Sequence, residues 1–145
     1  MAMRMMWVAP ALLLAASLHA GDLSPFDELN LPDELPKQVF EASLQDASQS
    51  ASVFQQGDAL DAHIMQTGMA NHALIVQQGA GHQAQITQAG LENIAAIIQS
   101  GWNNQAFIAQ TGSGNQAVIT QSGTGLYGAI YQSGSGTHVQ LGQTN

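Results

Sequence analysis

The sequence predicts an all-β fold: a flattened β-solenoid of the cross-β kind, with 22-residue turns and nine short strands in two stacked, in-register parallel sheets. Three observations carry that prediction. From Ala51 onward an eleven-residue phrase repeats without a break, Ala-x-Ile-x-Gln-x-Gly-x-x-Asn-x. Within it Ala, Ile and Gln occupy alternate positions, so an extended strand turns all three to one face. Each unit is too small to bury that face alone and must stack on its neighbours.

The chain has three expected regions, 1–20, 21–50 and 51–145. The first carries Arg4 as its only charge, an apolar run from Met5 to Ala16 and small residues near Ala20, the pattern of a secretory signal peptide. Pro10 and the shortness of the run argue against a membrane anchor, which takes about 20 apolar residues. Residues 21–50 hold seven acids, three prolines and the single basic residue Lys37, a composition expected of a mostly disordered leader. Val39, Phe40 and Leu44 suggest a short amphipathic helix from about Lys37 to Gln45. The leader reads equally as a recognition segment for export or anchoring and as a spacer.

In the third region the columns can be read one at a time. Gln recurs at Gln55, Gln66, Gln77, Gln88, Gln99, Gln110, Gln121, Gln132 and Gln143. Two residues before it stand Val53, Ile64, Ile75, Ile86, Ile97, Ile108, Ile119, Ile130 and Leu141, the expected core together with the alanines. Each buried Ile contributes roughly 1.5 to 3 kcal/mol. Asn71, Asn93, Asn104 and Asn115 lie in the arcs, suited to a left-handed backbone or to side-chain-to-backbone bonds. The unit divides into about six residues of strand and about five of arc beginning at the glycine. Alternate units then fall on opposite sheets, and units two apart stack about 4.8 Å away.

The Gln column is the most informative. Burying an amide without partners costs about 1 to 3 kcal/mol for each group lost, which nine glutamines would multiply. They become acceptable when each amide donates to the next rung and accepts from the one before, as in cross-β stacks. Such a ladder is unsatisfied at its ends. The last unit, Val139 to Asn145, is still in pattern, so an uncapped stack is expected there, while Asp58 and Asp61 place charge on the first rung.

Other chemistries find little support. With a net charge of −8 and no basic residue in the repeats, nucleic-acid phosphates have no electrostatic partner. No cysteine is present for disulfides or nucleophilic catalysis, and the few acids are not paired for acid–base work, so neither enzyme activity nor a small-molecule substrate is expected. His72 and His82 are placed in arcs on opposite edges and His63 outward on sheet two, so no metal site and no cofactor is expected. Phe54, Leu74, Val76, Ile98 and Val118 form an outward stripe on sheet one, either a contact patch or ordinary β-formers facing solvent. Thr67, Thr87, Thr111 and Thr120 form no single outward ladder, which ranks an ice-binding solenoid far behind.

The spacing Gln66-x-Gly68-x-x-Asn71-x-Ala73-x-x-x-Gln77 resembles the curlin repeat of bacterial curli amyloid subunits, and it recurs in full at Gln88 to Gln99, Gln99 to Gln110 and Gln110 to Gln121. The resemblance implies export, passage through an outer-membrane curli secretion channel with accessory proteins, and polymerisation with itself or another curlin subunit. The product would be an extracellular fibre, or fimbrium, serving cell adhesion and biofilm formation. It also assigns the Gln and Asn columns to stacking. The acidic, glycine-poor leader and the Ala opening both strands resemble the minor, nucleating subunit more than the major one, although the basic final repeat of that type is missing. The major fibre subunit is the alternative, and a non-polymerising solenoid adhesin is the reading from a different class. Asn is replaced at Leu60, His82, Leu126 and Thr137, where looser stacking of the arcs is expected.

Overall fold

The computed structural model describes residues 49–145. The signal segment 1–20 and the leader 21–50 with its helix lie outside this range, apart from Gln49 and Ser50. Nine strands follow one another: β1 (Ser50–Asp58), β2 (Asp61–Met69), β3 (His72–Ala80), β4 (Gln83–Leu91), β5 (Ile94–Trp102), β6 (Gln105–Ser113), β7 (Gln116–Thr124), β8 (Tyr127–Ser135) and β9 (His138–Thr144). They form two parallel sheets, sheet one in the order β1-β3-β5-β7-β9 and sheet two in the order β2-β4-β6-β8. Register is held at 22 residues throughout, so Gln77 pairs with Gln55 and Gln99, and Ile86 with Ile64 and Ile108. The described residues form the all-β solenoid that the repeat predicts.

The strands are longer than expected. Eight of them run for nine residues and leave arcs of only two, because pairing continues through the glycine and one residue beyond it. The bend lies inside the paired segment: Gly101, for example, has φ +104°. Every rung bends at the same place, so the inter-rung bonds survive the bend. A Cβ on Gly101 would stand 2.0 Å from the Gly123 carbonyl oxygen of the next rung, which explains why the column admits no side chain.

The left-handed position also differs from expectation. It falls on the first arc residue, at Ala59, Ala70, Glu92 and Asn103 (φ 53–56°) and at glycines 81, 114, 125 and 136, one place before the Asn column. Of the two roles open to the asparagines, they take side-chain bonding.

Between the sheets, Ala73, Ala84, Ala95, Ala106 and Ala117 pack with Ile75, Ile86, Ile97, Ile108, Ile119 and Ile130, flanked by Ala62, Ile64 and Leu141. Two departures from the repeat compensate each other across this core. Gly128 stands where Ala is usual, and a Cβ there would lie 3.0 Å from Cδ2 of Leu141, which stands where Ile is usual.

The outward stripe on sheet one is not solvent-facing. Leu74, Val76, Ile98 and Val118 point away from the inter-sheet core by strand alternation, yet they are 1%, 7%, 4% and 3% exposed. Phe54 is half-buried. Sheet two keeps an open outer face, with Met65 and Tyr131 exposed and Phe107 stacked against Tyr131 at 5.4 Å.

Candidate functional site

The Gln side chains project into the interior because they share the strand face of Ala and Ile. Those of Gln77, Gln88, Gln99, Gln110, Gln121 and Gln132 are buried. On sheet one Nε2 of Gln55 donates to Oε1 of Gln77 at 2.8 Å, Gln77 to Gln99 at 2.9 Å, Gln99 to Gln121 at 2.8 Å and Gln121 to Gln143 at 2.8 Å. On sheet two Gln66 donates to Gln88, Gln88 to Gln110 and Gln110 to Gln132 at 2.7–2.9 Å. Every bond points from the earlier rung to the later one.

The second amide proton is used as well, and sequence reasoning missed its partner. Gln77 donates to the Asp61 carbonyl, Gln88 to His72, Gln99 to Gln83, Gln110 to Ile94 and Gln121 to Gln105, at 3.0–3.2 Å. Each acceptor is the first residue of the strand before, on the opposite sheet. The glutamines therefore tie the two sheets together as well as the rungs. A constant offset of sixteen residues is the signal that would have found these bonds, once the strand starts were known.

The arcs carry a second set of ladders. On one edge Oδ1 of Asn71 accepts the Asn93 backbone N–H, Asn93 accepts that of Asn115, and Asn115 that of Thr137, each at 3.1 Å. Their amide nitrogens donate to backbone carbonyls on both sides, as from Asn93 to Ala89 and Gly112. On the other edge His82 Nδ1 accepts the Asn104 N–H and Asn104 Oδ1 accepts the Leu126 N–H at 2.9 Å. The arcs at His82, Leu126 and Thr137 thus keep their inter-rung bonds, while Leu60 offers no side-chain acceptor to the rung after it. The acceptor a residue requires comes from the rung before it, so Leu126 and Thr137 are served by Asn104 and Asn115 whatever their own side chains.

The remaining candidates do not converge. His63 and His138 are exposed, and the latter bonds to Gln116 Oε1 at 2.8 Å. His72 opens β3 and faces outward on sheet one, so it is a strand residue and not an arc residue. Among the described residues no three His, Asp or Glu side chains lie together as metal ligands. Asp58 and Asp61 flank the first arc, both exposed.

The two ends of the stack differ in kind. Among the described residues, β1 and β2 are paired on one side only, as are β8 and β9. At the first rung the Oε1 atoms of Gln55 and Gln66 accept no hydrogen bond from a described residue, while the last amide of sheet one, Gln143, gives one proton to the Tyr127 carbonyl and keeps one to give. One end is acceptor-rich and the other can donate.

The family model of the curlin associated repeat matches residues 48–79, 57–90 and 90–123. Comparison with curated proteins and with solved structures returned no match.

Proposed function

The chain belongs to the curlin associated repeat family, and from that premise we propose that it is the nucleating subunit of an extracellular curli-type amyloid fibre. Its role is structural. Residues 1–20 direct export and are removed, 21–50 form the leader, and the remainder leaves the cell through an outer-membrane secretion channel to polymerise at the surface, where the fibre supports adhesion and biofilm formation. The polymerising elements are the nine Gln of the ladders with Asn71, Asn93, Asn104 and Asn115.

One observation carries the polymerisation reading: a stack whose first rung offers amide acceptors and whose last offers an amide donor, with unpaired backbone on both edges. Unpaired strand edges are templates for further strands. Here a second copy meets them in the same register as an interior rung, head to tail, and adds bonds like that between Gln99 and Gln121. The nucleating role rests on the acidic, glycine-poor leader and the Ala that opens both strands.

The test is direct. The purified protein should form fibres that bind amyloid dyes and diffract at about 4.8 and about 10 Å. A persistent soluble monomer at micromolar concentration would overturn the reading and favour a non-polymerising adhesin. Added in sub-stoichiometric amounts, the protein should abolish the lag of a partner curlin subunit; an unchanged lag assigns it to the fibre body instead.

A further inference from the structure

The two halves of each turn are equivalent. Glutamines of sheet one reach back to the first carbonyl of the preceding strand on sheet two, as from Gln77 to Asp61 and Gln99 to Gln83, and glutamines of sheet two reach sheet one in the same way, as from Gln88 to His72 and Gln110 to Ile94, all at 3.0–3.2 Å. Arcs on both edges are two residues long. Both kinds enter through the left-handed region, at Ala59 and Asn103 on one edge and at Ala70 and Glu92 on the other. The repeating unit is therefore a single strand and its arc, carried onto the next by a half-turn about the stack axis and a rise of about 2.4 Å, half the strand spacing. Nine such strands are described, five in sheet one and four in sheet two. An odd number leaves the stack half a turn out of phase with itself: the position after β9 lies in sheet two, on β8.

We propose, resting on the polymerisation reading above, that successive copies join rotated by a half-turn about the fibre axis, with β1 of the next copy paired to β8 and its β2 to β9. A copy added without rotation must seat its β1 on β9. Its β2 then stands two strand spacings, about 9.6 Å, from β8, and one strand of sheet two is missing at every joint. No backbone hydrogen bond crosses that gap. The half-turn closes it. Gln132 then faces Oε1 of Gln55 in the next copy and Gln143 faces that of Gln66, the two first-rung acceptors that no described residue serves. Ile130 meets Val53 of the next copy, which is 45% exposed in the single chain, and Tyr131, 72% exposed, comes opposite Phe54 of the next copy. An aromatic ring is what Tyr131 already takes on its other side, in Phe107 at 5.4 Å. The lateral faces alternate in consequence: the outer side of sheet one, with Leu74 and Ile98, lines up with the outer side of sheet two, with Met65 and Tyr131, in each neighbouring copy. Neither face forms a continuous stripe along the fibre.

Helical symmetry of fibres grown from the full chain tests this directly. Each subunit should rise about 22 Å, four and a half strand spacings, and turn by about 180° apart from the gradual twist of the sheets. A rise of about 24 Å without the half-turn overturns the proposal and leaves the fibre reading standing. Absence of fibres removes both. The chain has no cysteine, so paired thiols report the joint without background. Ser52→Cys with Ala129→Cys sets two Cα atoms about 4.8 Å apart across the rotated joint, within disulfide reach, whereas inside one chain the two lie on opposite sheets. Ser52→Cys with Gln140→Cys does the same across an unrotated joint. Oxidised as assembled fibres and then dissolved, the first variant should give covalent multimers and the second monomers. Multimers from the second pair, or from neither, overturn the half-turn.

Discussion

The imidazole of His82 serves Asn104 as an asparagine would: its Nδ1 accepts the Asn104 backbone N–H at 3.2 Å while Nε2 reaches the Gln78 carbonyl at 3.1 Å. A backbone N–H can only donate, so Nδ1 is the bare nitrogen and Nε2 carries the proton. The ring is fully buried. His82→Leu is expected to orphan the Asn104 N–H and the Gln78 carbonyl and to cost about 1 to 3 kcal/mol. His82→Asn should be close to neutral. Denaturant midpoints of the two variants check this, and equal losses would show that the ring contributes by volume alone.

Gln99 links Gln77, Gln121 and the Gln83 carbonyl in one interior position. Gln99→Ala strands a donor and two acceptors at once and is expected to slow fibre formation strongly. Gln55→Ala, on the first rung and exposed, removes one bond and should cost roughly 1 kcal/mol. Denaturation midpoints of the two variants before polymerisation measure the difference; equal losses would refute the interior ladder.

Two glycines separate space from backbone conformation. Gly101→Ala would force a Cβ to within 2.0 Å of the Gly123 oxygen at φ +104° and is expected to abolish the fold. Gly136→Ala meets nothing within 4 Å, and its φ of +66° is close to that of Ala59 and Ala70, so its cost should be about 1 kcal/mol. Circular dichroism and denaturation of both variants test the contrast.

The converse substitution should stabilise. Ala70 and Glu92 occupy the left-handed arc position that glycine fills at 81, 114, 125 and 136. Relief of the Cβ clash favours glycine there by about 1 kcal/mol, partly offset by its greater unfolded-state freedom. Glu92→Gly is expected to raise the denaturation midpoint, and a lowered midpoint would show that Glu92 has a favourable interaction beyond its backbone.

Much of this arrangement is legible in the sequence, because a fixed period dictates both which residues pair and which face they share. Gln77 opposite Gln99 and Ile75 opposite Ile97 follow from counting alone. What the columns hide is anything that depends on the exact path of the backbone. The strand continues past Gly101 because its neighbours bend identically, which a glycine read singly, as a breaker, does not convey. The carbonyl that takes the second amide proton of Gln77 belongs to Asp61, across the core, and no column contains both. Outward alternation gives the direction of Leu74 and Ile98 but not their exposure, which is 1% and 4%.

The one-way hydrogen bonding of the interior glutamine column, which the exposed Gln78–Gln56 pair does not share, has an electrostatic consequence. Seven side-chain amide bonds run from earlier to later rungs without a reversal. Their dipoles add, as aligned peptide dipoles do along a helix, and leave opposite partial charges at the two extremities. Successive amides also polarise one another, so each bond is strengthened by those already made. A stack of such rungs is a vector: reversing any one amide would set donor against donor on one side and acceptor against acceptor on the other, and its two tips present different electric fields to whatever approaches them.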